Sequence, residues 1–264
     1  QMCIRDRGIS DLVYPVFSSQ NKETKSSAHQ RVRILLRKTR RIMNLLDIIG
    51  PVMVGPSSSH TAGAVKIGRV CHKLLAEKVV RADIFFHGSF LATGKGHGTD
   101  KAVVAGLLGM QVDDPAIPHS FEIAEREGLQ FTLSGIDLGD VHPNSVKLEL
   151  TGESGRTLEV IAASIGGGRI EICEIDGLTA NFSGDYSTVI VHNIDQPGHV
   201  TEVTSMLAHK SVNIATMQLY RASRGGNAVM VIECDQEIPA DALKWLERME
   251  GILKVTYLLS LIHI

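Results

Sequence analysis

The stretch "STVIVHNIDQPGHVTEVTSMLAHKSVNIATMQLYR", Ser187 to Arg221, decides the fold of the C-terminal part of the chain. Its opening "STVIVHNID" is rich in β-branched residues, which predicts a strand. "PGHVTEVTSMLAHKS" has a proline in its first turn and apolar residues at helical spacing, which predicts a helix. "VNIATMQLYRA" then predicts a second strand.

The residues that follow complete this pattern. "SRGG" predicts a turn, "NAVMVIECD" a strand, "PADALKWLERME" a helix with Pro239 at its start, and "GILKVTYL" a last strand. The order βαββαβ is the ferredoxin-like arrangement, in which two helices cover one face of a four-stranded antiparallel sheet. We therefore predict a ferredoxin-like domain over residues 185–258.

This domain resembles the ACT domain, a regulatory module that binds amino acids, in "NIDQPGHV" and "SVNIATMQLYR". A glycine lets a ligand approach the backbone, and a helix N-terminus attracts a carboxylate. The predicted ligand site consists of Asp195, Gly198, His199 and Asn213. The alternative is a domain that only associates with a second copy of itself, with Pro-Gly serving as a turn.

The preceding residues predict an α+β domain over residues 43–180. "TAGAVKIGRVCHKLLAEK" predicts a helix, "VVRADIFFHG" a strand, "GSFLATGKGHGTD" a glycine-rich loop, "TDKAVVAGLLGM" a helix and "SFEIAEREG" a helix ending at Gly128. Thr99 or Asp100 is the expected N-cap of the second helix. "LQFTLSG", "SVKLELTG", "TLEVIAASIGGG" and "RIEICEIDG" predict strands of a mostly antiparallel sheet. The domain boundary is expected near "LTANFSGDY".

Both ends of the chain are expected to be non-native. Leu259 to Ile264 can be encoded by DNA whose reverse complement, read in another frame, encodes Met2 to Asp6. A ribosome-binding sequence can encode Arg40-Arg41, which precede Met43 by one further residue. Residues 1–42 carry 10 Lys and Arg against 3 Asp and Glu, whereas the rest carries 17 against 26. We expect residues 1–42 to be a disordered, translated upstream segment and residues 259–264 to be a non-native tail.

Composition narrows the class of protein. A hydrophobic fraction of 44% and a charged fraction of 21% are typical of a soluble globular protein, and no apolar run approaches the ~20 residues that span a bilayer. The acidic remainder predicts no nucleic-acid partner, and the chain is expected to be cytoplasmic. Cys71, Cys173 and Cys234 are far apart and read as small buried apolar residues, so no metal or iron–sulfur ligand set is expected in this chain.

The stretch "GPSSSHTAGA", residues 55–64, concentrates hydroxyl groups at the start of a predicted helix. These hydroxyls, on Ser57, Ser58, Ser59 and Thr61, join unpaired backbone N–H groups and suit a carboxylate. His60 can move a proton near neutral pH. The alternatives are an elaborate helix cap and a hydrolase; adjacency of Ser and His is not a catalytic dyad, and no Gly-x-Ser-x-Gly is present.

A second candidate is "GKGHGTD", where Lys95 is positive and His97 can titrate. These residues could complete the pocket or contact a partner; the alternative is a flexible loop before a helix. His87 and His142 are expected to be structural histidines. "IGGG", residues 165–168, predicts a tight connection between strands.

The chain resembles the β subunit of the iron–sulfur-dependent bacterial L-serine dehydratases in four stretches that keep the family's order: "DIIGPVMVGPSSSHTAGAVKIGRV", "GSFLATGKGHGTD", "HPNSVKLEL" and "SIGGG". The resemblance covers residues 43–258. It implies one subunit of a lyase that converts L-serine to pyruvate and ammonia by eliminating water. A [4Fe-4S] cluster held by a partner α subunit would act as the Lewis acid.

The same resemblance implies roles for residues of this chain. The carboxylate of L-serine would be held by Ser57, Ser58, Ser59 and Thr61. Lys95 and His97 are further substrate-binding candidates by residue type. His60 would take part in proton transfer. The second domain would associate with another copy of itself, and no association with a membrane is expected.

The first domain also resembles the allosteric substrate-binding domain of some phosphoglycerate dehydrogenases. A domain of that kind, joined to an ACT module, could bind serine without performing chemistry. The competing function is therefore a serine-sensing regulatory module.

Overall fold

The computed structural model describes residues 52–221 and 223–260. The predictions for residues 1–42, for the start at Met43 and for residues 261–264 lie outside the described residues. Within the described part, the chain forms two sheets flanked by helices. No described helix combines the length and the apolar character that crossing a membrane requires.

The first domain contains helices on one face of a six-stranded sheet. Its elements are a π-helical turn (Ser58–Gly63), α1 (Ala64–Leu75), β1 (Val79–Phe86), α2 (Gly88–His97), α3 (Thr99–Leu107), a 3₁₀ turn (Ile117–His119), α4 (Ser120–Glu127), β2 (Gln130–Gly135), β3 (Ser145–Gly152), β4 (Thr157–Gly166), β5 (Arg169–Ile175) and β6 (Leu178–Phe182). The strand order is β2-β1-β3-β4-β5-β6. Only the β1–β2 pair of this described sheet is parallel, so the predicted mostly antiparallel sheet is confirmed.

Two glycines bring α1 and α3 into backbone contact. A Cβ added to Gly68 would lie 2.3 Å from the carbonyl oxygen of Val103, and one added to Gly106 would lie 2.1 Å from that of Val65. Neither position has room for a side chain, because helix backbones this close exclude any residue larger than glycine. The crossing fixes α1, and with it the π-helical turn at its N-terminal end.

The second domain has the predicted ferredoxin-like order. Its elements are β7 (Ser187–Ile194), α5 (His199–His209), β8 (Ile214–Arg221), β9 (Asn227–Cys234), α6 (Ala240–Leu246) and β10 (Ile252–Leu258). The strands are arranged β10-β7-β9-β8, and all neighbours are antiparallel. This confirms the strand and helix assignments of the sequence within a few residues.

The two faces of the second sheet contribute side chains to two different hydrophobic cores. Val189 and Val191 of β7 belong to a core with Val203 and Leu207 of α5. Ile190, between the two valines, belongs instead to the core of the first domain, because successive side chains on a strand point to opposite faces. The second sheet therefore lies between its own helices and the first domain.

Several predicted boundaries are wrong. The helix predicted from Thr61 already begins in the π-helical turn at Ser58 and ends at Leu75, where Ala76 adopts a left-handed conformation. The strand β6 is not predicted by the sequence and lies within the stretch where the domain boundary is expected. That domain boundary stays a prediction. Pro197, predicted in the first turn of a helix, precedes α5, which begins at His199.

The glycine-rich loop predicted at residues 88–100 is wrong in a way that changes the site. It folds into α2, which ends at Gly98, a left-handed residue whose N–H bonds to the carbonyls of Gly94 and Lys95. Gly98 is also the N-cap of α3, so the predicted caps Thr99 and Asp100 already lie inside that helix. A Cβ added to Gly94 would lie 3.2 Å from the Cβ of Thr99, so this glycine allows α2 and α3 to pack closely.

Candidate active site

The π-helical turn places His60 at the N-terminal end of α1. Ser57 caps the turn, since its Oγ accepts a hydrogen bond from the backbone N–H of His60 at 3.1 Å. The N–H groups of Thr61 and Ala62 both bond to the carbonyl of Ser57, at 2.9 and 3.3 Å. The second of these bonds spans five residues and widens the turn.

The imidazole of His60 is held by α2. Its Nε2 lies 3.1 Å from Ser89 Oγ and 3.0 Å from Thr93 Oγ1. Phe90 packs against the ring in a T-shaped arrangement, with the ring centroids 5.3 Å apart. One side of a helix that the sequence predicted as a loop therefore fixes the position of this ring.

His97 is the second histidine of this cluster. Its ring centroid lies 4.9 Å from that of His60, and its carbonyl accepts a hydrogen bond from Thr61 Oγ1 at 3.1 Å. Its Nδ1 is buried and makes no hydrogen bond to the described residues. The structure thus brings together three predicted site residues, His60, Thr61 and His97.

Burial lowers the pKa of His60 from its usual value of 6.5, and the neighbouring His97 lowers it further, whereas the contact with Ser89 opposes the shift. Removing an imidazolium from water disfavours its charge, and a second positive ring has the same effect. A lowered pKa keeps His60 neutral at pH 7. A neutral imidazole is able to accept a proton.

The hydroxyls of Ser58 and Ser59 are half-buried and make no hydrogen bond to the described residues. They differ in this from Ser57, whose oxygen is used as a helix cap. Both serines lie in the first turn of a helix, where backbone N–H groups lack partners inside the helix. This end of the turn can therefore accept an anion, as the sequence predicted on chemical grounds.

Lys95 does not join the His60 cluster. It is exposed and lines a separate cleft of about 200 Å³, together with Leu91, Leu133 and Gly135. Helix geometry explains this separation, because residues two positions from Ser89 and Thr93 point to another side of α2. The binding role predicted for Lys95 gains no support from its position.

Ser89 and Thr93 are the site residues that sequence reasoning missed. Both belong to "GSFLATGKGHGTD", and their spacing of four residues is a helical signal. The four glycines of this stretch favour a loop in the sequence, which hides the helical spacing. A helix would have placed the two hydroxyls side by side.

The weaker histidine candidates of this domain bond to the backbone, as is expected of structural histidines. His87 Nδ1 accepts a hydrogen bond from the N–H of Leu138 at 3.2 Å, and His142 Nδ1 accepts one from the N–H of Asn144 at 3.1 Å. Both histidines organise the loop between β2 and β3. Residues 166–168, all glycines with positive φ, form the tight connection between β4 and β5.

Comparison with known proteins gives the family. Residues 44–129 match the family described as "Serine dehydratase beta chain". The chain is 42% identical over 213 residues to the probable L-serine dehydratase beta chain of Bacillus subtilis, which covers 81% of this chain and 96% of that one. The chain belongs to the serine dehydratase beta chain family.

Two further relatives of this serine dehydratase beta chain are informative. The L-serine dehydratase beta chain of Peptoniphilus asaccharolyticus is 39% identical over 193 residues, which cover 73% of this chain and 87% of the relative. The D-3-phosphoglycerate dehydrogenase of Bacillus subtilis is 27% identical over 195 residues, which cover 73% of this chain but 36% of the relative. The beta-chain relatives support a role in L-serine dehydratase, and a beta chain implies a partner α subunit.

The described cysteines of this beta chain do not fit an iron–sulfur cluster. Cys71 lies on α1, Cys173 on β5 and Cys234 on β9. Burial raises the thiol pKa of all three, that of Cys173 and Cys234 to about 11, which disfavours the thiolate that binds iron. Among the described residues, no three His, Cys, Asp or Glu side chains are close enough to hold a metal ion.

The ligand site predicted in the second domain is not assembled within one copy of the beta chain. Asp195 follows β7 and is bonded to Arg221 and to the N–H of Gly225, both at 3.1 Å. Asn213 precedes β8 at the opposite end of the sheet, about 20 Å away at 3.3 Å per residue. These two residues cannot contact one small ligand from the same chain.

The other two predicted ligand residues form the start of α5. Gly198, with φ +105°, is its N-cap. His199 is buried, with Nδ1 2.9 Å from the carbonyl of Ile194 and Nε2 3.1 Å from that of Glu250. These contacts tie His199 to the loops at both of its ring nitrogens, which is a structural use of the side chain.

Proposed function

We propose that this chain is the β subunit of an L-serine dehydratase that converts L-serine to pyruvate and ammonia. The observation that carries the proposal is His60, held by Ser89 and Thr93 in a half-buried site with a lowered pKa. Such a group is suited to proton transfer near neutral pH. The beta-chain relatives supply the substrate class.

In this proposal the π-helical turn binds the substrate carboxylate. Ser58 and Ser59 offer hydroxyls with no partner among the described residues, next to the N-terminal end of α1. The partial positive charge at that end stabilises an anion. Binding there leaves the Cα of serine beside the histidine.

His60 then accepts the Cα proton. The electrons of the broken C–H bond form the Cα–Cβ double bond, and the β-hydroxyl leaves as hydroxide. The proton held by His60 is returned to this hydroxide, so that the products are 2-aminoacrylate and water and the histidine is neutral again. The imine tautomer of 2-aminoacrylate reacts with one water to give pyruvate and ammonia, so the net reaction releases one ammonia and consumes no water. The lowered pKa keeps the base neutral before this transfer.

Loss of the β-hydroxyl calls for a Lewis acid, and a [4Fe-4S] cluster on the α subunit would supply it. The described residues of this chain do not fit that group, so its ligands are assigned to the partner. The second domain is assigned to association with another copy of the chain. An edge strand, β8, is available for this pairing, with Leu219 47% exposed.

The proposal is tested by reconstitution with a serine dehydratase α subunit under anaerobic conditions. The mixture should form pyruvate from L-serine, whereas this chain alone should be inactive. His60→Gln should lower turnover by ~10²–10⁴-fold without loss of co-elution with the α subunit. His209→Gln, an exposed histidine on α5, is the matched control and should keep full turnover.

The second candidate is a serine-sensing regulatory module without chemistry. The observation that favours it is the similarity to D-3-phosphoglycerate dehydrogenase over 195 residues. In that case the mixture would be inactive while this chain alone binds L-serine in calorimetry. Unchanged turnover in His60→Gln would also remove the proposed role of this histidine.

A further inference from the structure

The two ring nitrogens of His60 have different surroundings. Nε2 lies within 3.1 Å of two hydroxyl oxygens, those of Ser89 and Thr93. Nδ1 makes no hydrogen bond to the described residues, and it is not one of the buried atoms without a partner. Within the described part of the chain, hydrogen-bonding groups contact Nε2 and none contacts Nδ1.

The direction of the hydrogen bonds follows from a count of protons. Thr93 Oγ1 donates its only proton to the backbone carbonyl of Ser89, at 3.0 Å. Toward His60, at 3.0 Å, the same oxygen presents a lone pair. A lone pair on Nε2 would repel it, whereas an N–H at Nε2 completes a hydrogen bond.

Ser89 is compatible with the same arrangement. Its Oγ lies 3.1 Å from Nε2 and 3.5 Å from Thr93 Oγ1. It can accept from Nε2 as a second oxygen and direct its own proton elsewhere. Both hydroxyls are then satisfied when Nε2 carries the ring proton, while the opposite tautomer satisfies only Ser89.

We propose that Thr93, supported by Ser89, is a positioning residue that holds His60 in the tautomer with the proton on Nε2, so that Nδ1 is the nitrogen that exchanges protons. The hydrogen bonding of one ring nitrogen commonly fixes the state of the other. The catalytic consequence rests on the proposed function: the Cα proton of serine goes to Nδ1. The tautomer itself is a property of this chain alone.

The tautomer is measured directly by nitrogen NMR of the full chain labelled with ¹⁵N-histidine, at a pH of about 8, where imidazole is neutral. The His60 signals are assigned by their absence in His60→Gln. We expect the couplings between ring nitrogens and ring carbon-bound protons to show the proton on Nε2. In Thr93→Val, which keeps the shape and removes the hydroxyl, we expect a mixture of both tautomers.

Two variants serve as controls. Thr93→Ser restores the hydroxyl and should restore the Nε2–H tautomer. Thr204→Val removes a hydroxyl that bonds to the carbonyl four residues earlier, at 2.8 Å from Val200, as Thr93 does, but on α5 of the second domain. It should leave the His60 signals unchanged. A change in Thr204→Val equal to that in Thr93→Val would overturn the inference.

The inference also fails if the unaltered chain carries the proton on Nδ1, or if Thr93→Val keeps a pure Nε2–H tautomer. With the α subunit, Thr93→Val should lower kcat by about 10–100-fold with an unchanged KM, because Thr93 acts through His60 and not on the substrate. Thr93→Ser should recover most of the loss. If the assembled unaltered enzyme does not convert L-serine, the proposed function fails, and the NMR result still decides the tautomer.

Discussion

Gly63 and Ser164 lie so close together that a Cβ on Gly63 would be 2.1 Å from the Ser164 hydroxyl oxygen and 2.8 Å from its Cβ. Gly63 ends the π-helical turn, and Ser164 is a fully buried residue of β4 whose hydroxyl has no partner among the described residues. Through this contact, the π-helical turn that carries His60 packs directly against β4.

Gly63→Ala should therefore destabilise the chain by about 1–3 kcal/mol, the usual cost of overpacking a core. Ser164→Gly should relieve the clash, so the double variant should lose less stability than the two single variants together. Urea unfolding of the unaltered chain, the two single variants and the double variant gives the four free energies of unfolding that this comparison needs.

Gly96→Ala is the control, because an added Cβ there meets nothing within 4 Å, and it should be neutral or stabilising by about 0.5–1 kcal/mol. Strict additivity in the cycle would contradict the argument.

The same relationship explains why part of the site could not be predicted. The hydroxyl-rich turn and His60 were evident from residue types, because the chemistry of a carboxylate site is local. The place of the π-helical turn on the sheet was not, since it involves a contact between Gly63 and Ser164, a hundred residues away. The sequence of α2 predicts a loop because its glycines lower helix propensity, whereas in the structure Gly94 allows close contact with Thr99.

The second domain was more predictable for a physical reason. β7 to β10 consist of long runs of β-branched and apolar residues, and prolines precede both helices, so each local signal agrees with the fold. The strand β6 was missed because its sequence, "LTANF", is short and includes Asn181, which adopts a positive φ of 39°. Its place is determined by packing on the second sheet, where Asn181 Nδ2 donates to Tyr220 at 3.0 Å.

Gly106→Ala should be more damaging than Gly63→Ala. The added Cβ would lie 2.1 Å from the backbone oxygen of Val65, and a backbone atom cannot rotate away as a side chain can. We expect a loss of about 3 kcal/mol, at the upper end of the overpacking range, measured by urea unfolding. A loss below that of Gly63→Ala would show that α1 and α3 can separate at little cost.

His192 should make stability depend on pH. It lies on β7, and its Nε2 is buried without a hydrogen-bond partner among the described residues. Burial lowers its pKa from 6.5, and the charge of Lys254 lowers the pKa further. A histidine with a lowered pKa binds more protons when the chain is unfolded. The free energy of unfolding should therefore fall as pH drops below 6.5, and should stop falling below the pKa of the folded state.

His192→Gln should flatten this dependence between about pH 5 and 7. The measurement is a series of urea unfolding curves across that range. The exposed His209→Gln should keep the dependence of the unaltered chain. Equal slopes in His192→Gln and the unaltered chain would show that His192 is not the group responsible.

His97 should tune the proton affinity of His60. The two ring centroids are 4.9 Å apart, and His97 is the second cause, after burial, that lowers the pKa of His60. His97→Gln removes the positive charge but keeps the backbone carbonyl that accepts from Thr61. The pKa of His60 should then rise, yet remain below 6.5 because burial is retained. NMR titration of the ¹⁵N-histidine-labelled chain measures the midpoint, and His209→Gln should leave it unchanged.

In the assembled enzyme, the loss of kcat/KM on acidification should move to higher pH by the same amount, since a base is inactive once protonated. A His60 midpoint that is unchanged or lower in His97→Gln would show that the two rings do not interact electrostatically.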